Sequence, residues 1–330
     1  MKPFAALAQA GRTARLRRLA LGALASYDLP VVSIRPLSTH FNAVFRVDTA
    51  AGERAVLRVN RPGNRSLVDV RSELVWVDAL ARDTDLTVPA PIRTRDGALA
   101  TTVAIPGVPE PRHCALFRWI NGRGVADRPF PRLLFALGAA MARLHDHAGG
   151  FAPPPGFTTR RLDAAWTFGR PARLYDDGPD DIFTSEHRAI LRAGAARVEA
   201  VLADLYADPA ELRFLHGDLH LGNVKATPAG LAILDFDDCT WGYPVQDVGV
   251  SLFYLEYHPA YHDLRAAFTR GYESVRPWPE AREGQVDACI AARWFDLISL
   301  VCSSGDPSDA DYLPGLLAKG IPQLAAWLER

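Results

Sequence analysis

The hydrophobic rhythm of the chain changes twice. Residues 4–27 set Leu7, Leu16, Leu19 and Leu24 among alanines at helical spacing, which predicts an amphipathic helix. From residue 31 the period shortens. Segments 31–37, 43–48, 54–60 and 99–104 are rich in Val, Ile and Thr. Ala51-Gly52 and Asp96-Gly97 supply turns between such segments, so they predict strands joined as antiparallel hairpins. One helix interrupts them: Ser66 and Asp69 make a capping-box pattern, and Leu67, Val70, Leu74 and Val77 follow on one face, with Pro89 and Pro91 beyond. Residues 113–119 read as a further strand running into Asn121-Gly-Arg-Gly124, a connector.

Beyond residue 130 the periodicity is helical, over 131–147, 185–206, 245–257, 260–274, 281–303 and 312–328, with one strand-like island at 213–235. Strands with a single helix, then helices with a strand pair, predict an α+β protein in two lobes. The division expected is an N-terminal helical extension over 1–29, an antiparallel β N-lobe over 30–118 and a mainly helical C-lobe over 119–330, with the hinge at 116–124.

Composition narrows the function classes. A chain of 330 residues suits two lobes, and 48% hydrophobic with 23% charged residues excludes a disordered chain. A net charge of −1 argues against a nucleic-acid partner, and no run nears the ~18–20 apolar residues that cross a membrane. Four scattered cysteines predict reduced thiols in a cytoplasmic protein. One imbalance matters for chemistry: the lysines are Lys2, Lys225 and Lys319 alone, so the cations of the first lobe are arginines.

The island holds the chemistry. His216-Gly-Asp218-Leu-His220-Leu-Gly-Asn223 is followed, across a turn at Pro228-Ala-Gly230, by an apolar strand ending in Asp235-Phe-Asp237-Asp238. A carboxylate to receive a hydroxyl proton, with a carboxamide and a second carboxylate as hard oxygen donors for Mg²⁺, is a sufficient set for phosphoryl transfer. A rival is a metallohydrolase, with His216, Asp218 and His220 joined by His145-Asp-His147 as a ligand cluster. His145 falls on the apolar stripe of its helix with Met141 and Leu144, the pattern of a packed core histidine.

The loop resembles the catalytic loop of the protein-kinase fold in its aminoglycoside/choline/homoserine kinase form, and Phe-Asp-Asp after Asp235 is similar to the bacterial stress-response Ser/Thr kinase branch. The resemblance implies a bilobal protein-kinase-like fold and use of ATP and Mg²⁺. It implies Asp218 as catalytic base, Asn223 and Asp235 as metal ligands, His220 near the transferred phosphoryl group, His216 as a structural residue, and Asp247 of Trp241-Gly-Tyr-Pro-x-x-Asp247 as a brace.

On the nucleotide side, Val56 and Arg58 share one face of their strand. By the same resemblance Val56 lines the adenine pocket, Arg58 stands where a lysine usually meets the phosphates, and Glu73 is its partner acid. Asn42 lies in the glycine-free phosphate-covering turn Ser38–Ala43, and the backbone of Leu116, Phe117 and Arg118 meets the adenine edge. The partners expected are ATP and a hydroxyl-bearing small molecule such as an amino alcohol, homoserine or aminoglycoside. A protein substrate, or nucleotide binding without turnover, is the alternative. Tyr254, Tyr257, Trp294 and Phe295 are candidate walls of an acceptor pocket, Asp176–Asp181 a candidate attractor of amines, and Asp237 and Asp238 candidate contacts to metal or acceptor.

Overall fold

Strict alternation in Ala43–Thr49 sends Ala43, Phe45, Val47 and Thr49 inward and leaves Val44, Arg46 and Asp48 half-buried, so this segment is a strand with one core face. The computed structural model describes residues 2–39, 41–63, 65–171, 174, 182–303 and 311–330. Within them the chain forms two units, 1–124 with 152–159 and 225–237, and the remainder from Val125.

In the first unit, β1 (Val31–Ser38), β2 (Ala43–Thr49), β3 (Arg54–Val59), β4 (Pro91–Ile92), β5 (Thr101–Val103) and β6 (Arg112–Arg118) make a six-stranded antiparallel sheet in the order β1-β2-β3-β6-β4, with β5 also on β6. One face carries Phe45, Leu57 and Leu116 and is covered by Leu19, Ala23 and Leu24 of α1 (Gln9–Leu24). The N-terminal helix packs onto the sheet, its apolar stripe buried there. It is shorter than 4–27: residues 3–7 turn back on themselves, with Leu7 N–H bonded to Phe4 O.

The opposite face holds Val56, Ala115 and Phe117 against Val70 and Leu74 of α2 (Leu67–Asp83). The capping box is formed, Asp69 N–H donating to Ser66 Oγ at 3.2 Å and Ser66 N–H to Asp69 Oδ2 at 2.9 Å. Two-residue β7 (Arg123–Gly124) pairs with β9 (Val224–Thr227), which pairs with β10 (Gly230–Ile233), and the chain enters the second unit after Gly124.

The second unit is mainly helical: α3 (Pro131–Gly150), α4 (Ser185–Tyr206), α5 (Pro244–Phe253), α6 (Tyr261–Glu273), α7 (Gln285–Ser303) and α8 (Leu313–Leu328). α3 meets α6 where glycines allow backbone contact; a Cβ on Gly138 would stand 2.1 Å from Phe268 O, and one on Gly271 1.9 Å from Phe135 O. The hairpin of β8 (Arg213–Leu215) with β11 (Thr240–Gly242) opens and closes the loop region, and α5 behind it is buried along its whole length. No helix among the described residues is long and apolar enough to cross a membrane. The acidic stretch 176–181 lies outside the described residues, as does His40 of the expected phosphate-covering turn.

Candidate active site

In the second unit the loop after β8 is held by a buried acid. Asp247, in the first turn of α5, accepts His216 N–H at 3.0 Å and Gly217 N–H at 2.8 Å, and His145 Nε2 lies 3.2 Å away. Burial disfavours its charge, but His145 and the loop amides outweigh that and hold the carboxyl below its ordinary range. Gly217 has a positive φ of 81°, and a Cβ there would lie 2.3 Å from Asp238 O, so only glycine fits this bend. Both ring nitrogens of His145 are engaged, Nδ1 by Tyr272 Oη at 2.9 Å, which makes it a packed histidine and removes it from any zinc cluster. Among the described residues no group of three or more His, Cys, Asp or Glu is arranged to hold a metal.

The bend presents Asp218. Its Oδ2 accepts Asn223 Nδ2 at 3.1 Å, and Asn223 Nδ2 also donates to the Asp218 backbone carbonyl at 2.8 Å. Its Oδ1 accepts Arg293 Nη2 at 2.5 Å and Tyr254 Oη at 3.2 Å. His220 Nδ1 accepts Gly222 N–H at 3.0 Å, so the proton sits on Nε2, 3.5 Å from Asp218 Oδ2. The His220 ring stacks on Tyr254 at 4.0 Å and 27°. Burial again works against the charge, and Arg293 with His220 more than offsets it, so the Asp218 carboxyl is pulled down to about 2. A carboxylate that stays ionised, with a donor exchangeable for an acceptor hydroxyl, is what a base in phosphoryl transfer requires.

In the first unit Arg58 and Glu73 do meet. Arg58 Nη1 and Nη2 donate to the two Glu73 oxygens at 2.8 and 2.5 Å, both side chains are buried, and Nη1 lies 3.6 Å from Asp237 Oδ1. Burial opposes the charge on Arg58, and Glu73 and Asp237 outweigh it, keeping the guanidinium above its ordinary range. Its carbon lies 5.3 Å from the Phe117 ring centre, and Phe117 is paired in register with Val56.

Asn42 does not face open space: its Nδ2 donates to Asp237 Oδ2 at 2.7 Å and its Oδ1 accepts Arg61 N–H at 2.9 Å. Asn60 Nδ2 adds a bond to Asp237 Oδ1 at 3.2 Å. Asp237 is thus a hub for Asn42, Asn60 and Arg58. Two residues before it, Asp235 has a positive φ of 58°, a conformation Asp tolerates better than most side chains and one that clusters at functional sites. Leu116 and Phe117 pair with β3 on one side and β4 on the other, and Arg118 N–H is taken by Ala90 O at 2.9 Å, so the open backbone edge begins beyond Arg118.

Arg293, Tyr254 and Asn60 complete these constellations. Of the three, sequence pattern had marked Tyr254 alone, and that as a wall rather than a partner of Asp218. Arg293 sits inside a helix beside Trp294, 75 positions from Asp218, where no local pattern distinguishes it.

A model of the phosphotransferase enzyme family matches residues 33–283. The microcompartment-associated aminopropanol kinase shares the fold with a TM-score of 0.79 at 26% identity, over 95% of this chain and 98% of that one. Amicoumacin kinase hAmiN, solved with AMP-PNP, Ca²⁺ and Ami, has a TM-score of 0.74 at 17% identity over 96% of each chain. Hydroxylysine kinase of Bos taurus is 22% identical over 317 residues, 87% of this chain and 82% of that protein. With the loop from His216 to Asn223 inside the matched span and the fold shared along nearly its whole length, the chain belongs to the phosphotransferase enzyme family: it is a kinase-type enzyme with a protein-kinase-like fold.

Proposed function

We propose that this enzyme moves the γ-phosphoryl group of ATP, with Mg²⁺, to the hydroxyl of a small molecule. The observation that carries the reading is the setting of Asp218: half-buried, its carboxyl held low by Arg293, and tied at Oδ1 to the Tyr254 phenol, which an acceptor hydroxyl can replace. The acceptor O–H takes the place of the Tyr254 phenol on Oδ1, and its oxygen attacks the γ-phosphorus. The new P–O bond forms as the bond to the β–γ bridging oxygen breaks, ADP leaves, and the hydroxyl proton passes to Asp218. A carboxyl with a pKa of about 2 is a weak base, so Asp218 acts first by orienting the hydroxyl and receives the proton late, as the P–O bond forms.

On the family resemblance, Asn223 and Asp235 are the residues that would hold Mg²⁺. Their hard oxygen donors suit it, and Asn223 Nδ2 is committed to Asp218, which leaves the amide oxygen as its donor atom. Bound there, the ion supplies neutralisation of charge on the β- and γ-phosphates. Arg58 faces the phosphates through the N–H groups not used by Glu73 and Asn60, Val56 and Phe117 line the adenine, and the backbone just beyond Arg118 meets its edge.

The names of the aminopropanol and hydroxylysine kinases support a small hydroxyl acceptor. ADP release from Mg-ATP across a panel of hydroxylated metabolites tests the reading. Asp218→Ala should lower turnover at least ~10²-fold and leave nucleotide affinity within about twofold. Turnover near the wild-type rate in that variant would remove Asp218 from the chemistry, and nucleotide binding without ADP from any alcohol would leave only a nucleotide-binding protein.

A further inference from the structure

A cavity of about 480 Å³ lies within the second unit, with His220 and Tyr254, both partners of Asp218, among its walls. Its walls are Leu134, Leu137, Leu221 and Leu255 with the rings of Tyr254 and Tyr257. Two of its features tie it to the chemistry. His220 lines it, and Tyr254, stacked on His220, donates its hydroxyl to Asp218 Oδ1. A molecule in this cavity that presents a hydroxyl in place of the Tyr254 phenol sits on the proposed base.

Size and charge then select the occupant. Cavities of ~300–1,000 Å³ enclose drug-sized ligands, so an amino alcohol of aminopropanol size would leave most of this one empty. Asp127, exposed, is the only acid on the lining and neither Lys nor Arg lines it, so a single cationic group can be matched and a polycation cannot. Tyr254 and Tyr257 are 42% and 55% exposed, so although Tyr254 stacks on His220 and Tyr257 meets Trp294 edge-on, part of each ring is still uncovered. An apolar ring that slid between them and the leucines would cover that surface and recover contacts an aliphatic polyol cannot make.

We propose that the phosphoryl acceptor is an alcohol with a ring-bearing apolar body and at most one amine, received in this cavity with its hydroxyl on Asp218. This deepens, and rests on, the reading of the site as a small-molecule kinase. It predicts an order of preference: aryl amino alcohols over aminopropanol, and both over a polyamine such as kanamycin.

The test is a panel running from aminopropanol through phenylethanolamine to naphthyl-bearing amino alcohols, with kanamycin as the polycation, assayed for ADP formation with Mg-ATP. The best aryl alcohol should exceed aminopropanol in kcat/KM by at least about tenfold, the discrimination that even one methylene can give in an apolar pocket. Ala126 lines the cavity from an exposed position, so Ala126→Trp narrows it without disturbing the core. That variant should lower kcat/KM for the aryl alcohols at least about tenfold and leave aminopropanol within about twofold. Preference for aminopropanol or kanamycin, or equal loss for all alcohols in Ala126→Trp, overturns the inference while the kinase reading stands. If no alcohol yields ADP, the kinase reading fails, and calorimetry of phenylethanolamine without nucleotide decides separately. Binding that Ala126→Trp abolishes upholds the cavity assignment, and no binding to the wild-type protein refutes it.

Discussion

Half-buried Asp218 and buried Arg58 are charges whose partners set their behaviour. At Asp218 the Arg293 guanidinium is the main influence opposing burial. A carboxyl lowered to about 2 contributes stability that is fully present above the ordinary carboxylate range and is lost as the pH falls through about 2. The same sign governs catalysis: between pH 4 and 8 wild-type kcat/KM should carry no acid limb from Asp218. Arg293→Gln removes the largest influence opposing burial while His220 stays, so the Asp218 carboxyl should rise and carry the acid limb up towards that window. A pH–rate profile unchanged in the variant would show that Arg293 does not tune Asp218. At Arg58, truncation to Ala would strand Glu73 without its partner, at a cost of ~3–5 kcal/mol, and confuse folding with binding. Arg58→Lys is the cleaner probe, since it keeps the charge and loses the fork that spans both Glu73 oxygens. ATP affinity should fall about tenfold and adenosine affinity should hold, as calorimetry with each can measure; equal loss for both would confine Arg58 to a structural role.

At the scale of elements, what depends on local pattern was legible and what depends on distant partners was not. The capping box at Ser66 placed α2 because both of its bonds are made within four residues. The long helices α3, α4 and α8 follow their apolar stripes to within a few residues of the expected ends. β7 and β11 are two and three residues long, too short for any period, and exist because β9 and β8 lie beside them. The grouping of Asp218 with Asn223 was legible because the two are five positions apart, and so was the hold of Asp247 on the loop. The contacts of Asn42 and Asn60 with Asp237 span 195 and 177 positions and leave no trace in either segment. The brace carries a prediction of its own. Asp247→Ala deprives two buried loop amides and His145 of their acceptor, which should cost ~3 kcal/mol or more, read as a lowered urea midpoint. A loss below ~1 kcal/mol would mean the loop holds its shape without Asp247.

For the whole molecule, binding and folding are one linked equilibrium, and this turns the metal assignment into a stability measurement that needs no acceptor. A ligand at a hundred times its Kd that binds only the folded state adds about 2.7 kcal/mol of stability. For a chain of 330 residues that is a rise in Tm of about 4 °C, at roughly 1.4 °C per kcal/mol. If Mg²⁺ is held with ATP by Asp235, Mg-ATP should raise Tm by that amount and ATP with EDTA by much less. In Asp235→Asn the two conditions should converge, since the variant keeps the shape of the side chain at its left-handed backbone position but loses the anionic donor. Asn also tolerates that conformation, so the variant without ligand should melt near the wild-type temperature, which separates a lost metal from a damaged fold. A Mg-dependent rise that persisted in Asp235→Asn would move the metal to other carboxylates, Asp237 first among them. Because Asp237 is tied to Asn42, Asn60 and Arg58, that outcome would in turn predict that Asn60→Ala weakens Mg-ATP as well.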